Sequence, residues 1–289
     1  MKNISTFSIV ARDAASGDLG IAVQSKFLAV GNGVLWAKAG VGAVVTQALA
    51  NMDFGELGLH ILEKGYGAER TARALIQLDS NIEERQFGIV DAEGGSFSFT
   101  GKNCFHYAGG ICGEDFAAQG NILVDEKTVE ALARTWRTSE GSLAARLTAA
   151  LDAAQNAGGD RRGRQSAALL VVRAKGGYGG YSDRYVDLRV DDDPDPVGRL
   201  RHLLDLHGLY FDRPCPKDVL PVDAPLAAEI QERLKKLGYY SGPLTQCYDE
   251  LTKQAFYNFC GWENYEERLL KGDRIDRNVL QALRQKTSS

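Results

Sequence analysis

Apolar and polar positions divide the chain into short segments from its start. Residues 7–11 and 20–25 are apolar runs of strand length. They are joined by Ala14-Ala15-Ser16-Gly17-Asp18, whose serine, glycine and aspartate suit a turn, so the pair reads as an antiparallel hairpin. After the Gly31-Asn32-Gly33 turn, residues 34–47 read as one or two buried strands with glycine interruptions. Helical spacing follows over 57–64 and 68–78, with Gly65-Tyr66-Gly67 between them. Residues 86–100 give a second hairpin around Gly94-Gly95, whereas 109–120 reads as a turn-rich segment. Two more helices are predicted over 128–136 and 142–155, the second opened by Ser142 as a cap. The strongest strand, 167–172, leads through a glycine and tyrosine loop to an alternating strand at 186–190 and a helix at 197–209.

Strand pairs joined by tight turns, alternating with helix pairs, predict antiparallel sheets packed together with helices outside. They do not predict a doubly wound sheet. Four of the 7 prolines, Pro214, Pro216, Pro221 and Pro225, fall in 212–225, which reads as an extended linker. A small helical module follows, with helices over 226–237, 249–262 and 275–283.

Composition narrows the function classes. Hydrophobic content of 44% with 25% charged residues predicts a sizeable core, and a net charge of -4 argues against a general nucleic-acid binder. No apolar stretch is long enough for a membrane span and the first residues lack the apolar run of a signal peptide, so a cytoplasmic protein is expected. The five cysteines show no metal-ligand spacing, and their odd number suits a reducing compartment. His60, His106, His202 and His207 are scattered. Asp191-Asp192-Asp193-Pro194-Asp195 lacks the glycine and distal glutamate of a calcium loop and reads as a capped turn. Neither a metal nor a cofactor is expected.

Thr6 places a hydroxyl at the head of the first apolar strand. Were residues 1–5 removed, its free α-amino group, with a pKa near ~8, could act as a base toward its own hydroxyl. Thr6 and Ser8 also fit the polar face of an ordinary strand. The turn from Gly159 to Ser166 gathers Asp160, Arg162, Arg164 and Ser166, which can hold a carboxylate or orient an amine. No histidine stands beside Ser166 to activate it as an internal nucleophile. Lys26 and Lys38 are the lysines nearest Thr6 in sequence, and either could favour the deprotonated hydroxyl. Gln24, Thr46, Gln47 and Asn51 could hydrogen-bond a polar substrate, with the backbone N–H groups near Val44 and Val45 as oxyanion donors.

The segments TFSIVARD, GIAVQSKFLAVG, WAKAGVGAVVTQALAN, GGDRRGRQSAALLVV and GGYGGYSDRYVDLRVDDDPDPV together resemble an uncharacterised bacterial and archaeal family, a domain of unknown function placed in the N-terminal nucleophile hydrolase superfamily. The resemblance covers about 6–211 and implies a four-layer αββα sandwich over 1–211, followed by a small all-α domain. Compared with proteasome subunits of that superfamily, Thr6 matches the leading threonine and Val23-Gln24-Ser25-Lys26 the motif ending the second strand. Gln24 replaces the aspartate of that motif, and Asp160 to Gly163 resembles the late turn. The implied activity is hydrolysis of a small amide or peptide-like substrate through Thr6, with Lys26 or Lys38 and Asp160 assisting. The segment 226–268 resembles a peptidoglycan-binding helical domain, which implies a cell-wall fragment, a docking surface or a homo-oligomer contact. The alternative is a non-catalytic protein that keeps the fold and binds a small ligand or cell-wall glycan.

Overall fold

A computed structural model describes residues 6–288. It contains eight α-helices and antiparallel sheets, and the chain divides into two compact units, 1–204 and 205–289.

In the first unit β1 (Thr6–Arg12), β2 (Leu19–Ser25), β7 (Gly109–Gly113), β8 (Phe116–Asn121), β9 (Ser166–Val172) and β10 (Arg184–Val190) form one sheet in the order β10-β9-β2-β1-β8-β7. A second sheet has the order β3-β4-β5-β6, from β3 (Leu35–Lys38), β4 (Gly42–Ala48), β5 (Arg85–Asp91) and β6 (Ser96–Thr100). The β1–β2 turn forms where the pattern puts it, with Asp13 Oδ1 accepting from the N–H of Ala15 at 2.9 Å and Gly17 at φ 75°.

Helices α1 (Asp53–Glu63) and α2 (Ala68–Leu78) pack on the four-stranded sheet; α3 (Lys127–Thr138) and α4 (Leu143–Asn156) pack on the six-stranded one. Ser142 caps α4, its hydroxyl accepting from the N–H of Ala145 at 3.3 Å. Side-chain alternation explains why each strand serves two layers. Phe7, Ile9 and Ala11 of β1 join Leu132, Leu147 and Leu151 of the helices, while Val10 joins Ile21, Val23, Val45 and Val90 between the sheets. Gly20 allows α4 to lie close, since a Cβ there would stand 2.7 Å from Leu147 Cδ1.

Two differences from the sequence pattern have a packing cause. The turn-rich segment at 109–120 is the β7–β8 hairpin. Its glycines and alanines are strand residues because β7 lies against β6, and a Cβ on Gly110 would collide with the Ser98 hydroxyl. The proline-rich stretch is not simply a linker, because Val219–Pro221 forms β11 and pairs with β12 (Arg274–Asp276), which adds a small sheet to the helical second unit.

Helix α5 (Pro196–Phe211) begins in the first unit and ends in the second. The second unit adds α6 (Ala224–Lys236), α7 (Glu250–Trp262) and α8 (Arg277–Lys286), capped by Asp223, Asp249 and Asp276 respectively. Ile230, Leu234, Phe256, Phe259, Ile275, Val279 and Leu283 form its core. Asp276 also pairs with buried Arg268 at 3.1 Å, and Arg268 caps the last turn of α5 through the carbonyl oxygens of Gly208 and Leu209. Among the described residues no helix is long and apolar enough to cross a membrane.

Candidate functional site

β1 begins at Thr6, where β2 and β8 end. Thr6 lies opposite Ser25 on one side and Asn121 on the other, and Ser25 lies opposite Ser166. Val10, Val23, Ala117 and Ala168, each an even number of residues away, face the four-stranded sheet, so this row of four polar side chains faces it too. All four residues are buried, and Thr6 Oγ1 donates to Ser25 Oγ at 3.2 Å.

Behind Thr6 the space between the sheets holds a network of neutral groups. Ser8 Oγ donates to Gln47 Oε1 at 2.6 Å and accepts from Gln119 Nε2 at 2.8 Å. Gln47 Nε2 donates to Gln86 Oε1 at 2.8 Å and to the Thr6 carbonyl oxygen at 3.3 Å. Asn121 Nδ2 reaches the same Gln86 oxygen at 2.9 Å, and Gln86 Nε2 donates to Thr100 Oγ1 and to the carbonyl oxygens of Gly109 and Gly120. Bonds of this kind, sealed from water, fix distance and direction together. They hold the backbone of β1 at the residue that carries the hydroxyl.

Asp160 is 3% exposed and binds beside this row rather than to Thr6. Its Oδ2 accepts from the backbone N–H of Lys26 at 2.9 Å and from Arg162 Nη2 at 3.1 Å, and its Oδ1 accepts from the Arg162 N–H at 2.8 Å. The carboxylate thus ties the end of β2 to the arginine-bearing turn. Ser166 is engaged likewise: its hydroxyl donates to the Phe27 carbonyl oxygen at 2.5 Å and accepts from the Val30 N–H at 3.1 Å, which anchors the loop after β2. Arg164 pairs with Asp195 at 3.5 Å.

Of the remaining nominated residues, only Gln47 joins the group around Thr6. Lys26 follows Ser25, but its ammonium reaches the Arg164 carbonyl oxygen, at 3.4 Å. Lys38 pairs with Gly42, five residues or about 17 Å along β4 from Gln47, and its ammonium meets Glu63 at 2.5 Å. That bond holds the Glu63 carboxyl below its usual range. Gln24 and Thr46 face the helix layers, because their neighbours Val23 and Val45 face between the sheets. The Thr46 hydroxyl and both polar atoms of the Gln24 amide have no partner among the described residues. Asn51 donates to Asp79 at 2.9 Å. Burial raises the Asp79 pKa, but the hydrogen bonds from Arg85, Asn51 and the Asn81 N–H outweigh it and hold the carboxyl below its usual range. Val44 and Val45 lie mid-strand, paired to β3 on one side and β5 on the other, so their N–H groups belong to the ladders and cannot serve as oxyanion donors. Asp193 caps its own turn, with Oδ1 accepting from the Asp195 N–H at 2.7 Å.

Gln86, Gln119 and Asn121 were not expected from the sequence, where Ser8 stood only as part of a polar strand face and Ser25 only as part of the motif ending β2. The signal was there in alternation: in Gln86-Phe87-Gly88-Ile89 the glutamine faces away from the apolar pair, towards the other sheet. Three non-glycine residues in the left-handed region lie at or just past the strand ends of this region: Ala29 (φ 51°) after β2, Ala48 (φ 66°) at the end of β4 and Ile122 (φ 51°) after β8. Such conformations cost about 1–3 kcal/mol each and cluster at ligand sites.

Comparison with known proteins gives the lineage of this arrangement. Residues 6–200, beginning at Thr6, match the model of the family of unknown function DUF1028. The chain belongs to that family. A crystal structure of the DUF1028 protein SPO2555 from Silicibacter pomeroyi is 30% identical and superposes with a TM-score of 0.65, covering 71% of this chain and 89% of that one. Residues 210–283 match a second model, described as "Putative peptidoglycan binding domain". No curated protein matches the chain.

Proposed function

We propose that the DUF1028 unit is an amide hydrolase of the N-terminal nucleophile type, with Thr6 as nucleophile once the Ser5–Thr6 bond is cut. Residues 1–5, whose loss this requires, lie outside the described residues. The observation that carries the reading is the placement of Thr6 at the head of an inner strand, its hydroxyl in a buried polar row and its carbonyl held by Gln47. The succession of helices, sheet, sheet and helices supports the αββα arrangement of that superfamily.

In this reaction the freed α-amino group takes the hydroxyl proton as Thr6 Oγ1 attacks the amide carbonyl carbon. The same proton passes to the departing nitrogen as the C–N bond breaks. Water then cleaves the ester on Oγ1, giving one proton back to Oγ1 and its hydroxyl to the acid. The five cysteines are all unpaired, which supports a reducing, cytoplasmic setting.

Intact mass and N-terminal sequencing of the purified protein test the proposal, with a mature N-terminus at Thr6 expected. Thr6→Ala is expected to abolish release of amine from a panel of N-acyl amino acids and dipeptides. Met1 retained in protein that still turns over an amide, or full activity in Thr6→Ala, would overturn it.

A second reading rests on the match of residues 210–283. In it the chain binds a cell-wall glycan fragment without cleaving it. A muropeptide that raises the melting temperature of wild type and Thr6→Ala equally, with no product formed, would favour this reading.

A further inference from the structure

The loops around the Thr6 end of the sheets combine exposed apolar side chains with cations that have no acidic partner. Phe27 and Leu28 follow β2, Met52 follows β4, and Phe105 and Val124 flank the end of β8; all five are exposed, Leu28 at 58% and Phe105 at 56%. The backbones of three of them are tied to the same strand ends. The Phe27 carbonyl oxygen accepts from Ser166, that of Phe105 from the Ile122 N–H, and the Val124 N–H donates to the Gly159 carbonyl oxygen. Apolar residues scattered singly over a surface need no explanation, whereas a group gathered at one site does.

Most cations at this end are paired. Arg162 bonds Asp160, Arg164 bonds Asp195 and Arg85 bonds Asp79. Lys26 and Arg161 are exposed and form no ion pair with any described residue. Lys26 directly follows Ser25, the cross-strand partner of Thr6. The N–H of Arg161 donates to the carbonyl oxygen of Ile122, which follows Asn121, the other partner of Thr6. The two cations therefore stand beside the two cross-strand partners of Thr6, Lys26 on the β2 side and Arg161 on the β8 side.

We propose that this end of the molecule recognises a carboxylate attached to an apolar group, the simplest case being an N-acyl apolar amino acid. The carboxylate is received by Lys26 as a point charge and by the planar fork of Arg161. The side chain rests on Phe27, Leu28 and Phe105, and the acyl amide faces Thr6. This deepens the hydrolase reading, on which it rests for the bond that is cut but not for the molecule that is bound.

Calorimetric titration of the full-chain protein tests it with three probes: N-acetyl-L-phenylalanine, its carboxamide and N-acetylglycine. Acetate release is followed in parallel. N-acetyl-L-phenylalanine is expected to bind about tenfold tighter than either other probe, about 1.4 kcal/mol. Lys26→Met and Arg161→Met, both surface changes, are each expected to weaken the acid about tenfold and leave the carboxamide unchanged. Equal affinity for acid and carboxamide, wild-type affinity in both variants, or no binding of any probe would overturn the proposal. The expected preference without acetate release would sink the hydrolase reading and sustain this one; acetate release without the preference would do the reverse.

Discussion

Between the two sheets of the DUF1028 unit, Val10, Ile21, Val45, Val90 and Leu170 fill one end, and Ser8, Gln47, Gln86 and Gln119 fill the other. The same strands supply both. β1 gives Val10 and then Ser8, β4 gives Val45 and then Gln47, and about 7 Å of strand separates the two chemistries. The apolar end gains free energy from area removed from water, which is indifferent to small shifts of one sheet over the other. The amide end gains little net stability per bond, but each bond is lost if a strand slips. One end holds the sheets together and the other sets where Thr6 stands.

Substitutions at the two ends should fail differently. Ile21→Ala opens a cavity at the apolar end and is expected to cost about 4 kcal/mol in urea unfolding; a loss below about 1 kcal/mol would mean that this end is not the main source of cohesion. Gln86→Leu leaves the amides of Gln47 and Asn121 without their acceptor and is expected to cost about 3 kcal/mol. Unlike Ile21→Ala, it should also change the tryptic or chemical accessibility of the Thr6 region in folded protein.

Gln47→Glu turns a donor into an oxygen facing Gln86 Oε1 and the Thr6 carbonyl, so burial and those acceptors raise the new carboxyl's pKa in the fold. A raised pKa means that the variant keeps most of its stability below the unfolded value of ~4.3 and loses it as pH rises. We expect a deficit of about 2 kcal/mol at pH 7 that shrinks at pH 4, and equal deficits at both would refute the account.

Gln24→Met should have the opposite sign, a gain of about 1 kcal/mol, because it removes a buried amide with no partner among the described residues. The smallest effect belongs to the second unit. There Arg284, and after it Arg233, hold the Glu229 carboxyl down to about 2. A lowered pKa gives stability that is present above the ordinary carboxylate range and is lost as pH falls towards about 2. In Arg284→Met an acid titration should show a smaller loss that is complete at higher pH.

How much of this could be read beforehand differs by element. The β1–β2 hairpin and the α4 cap were legible because alternation, turn residues and the Ser142 position agree. The β7–β8 hairpin was not, because its glycines and alanines are selected by the neighbouring sheet rather than by strand propensity. At the candidate site, nearness in sequence misled. Thr46 and Gln47 are adjacent yet face opposite layers, and Lys38 lies at the far end of its strand. Gln86 and Gln119 went unnoticed because a neutral amide in a strand looks like a solvated face until a second sheet covers it.

The neutrality of the groups behind Thr6 has an operational consequence. Dissolved ions screen charges within a Debye length of about 8 Å at physiological strength, but they leave amide and hydroxyl contacts almost untouched. Raising the salt concentration should therefore weaken any anion held at Lys26 and Arg161 while leaving Thr6 where Gln47 holds it, so that the two contacts become separately adjustable.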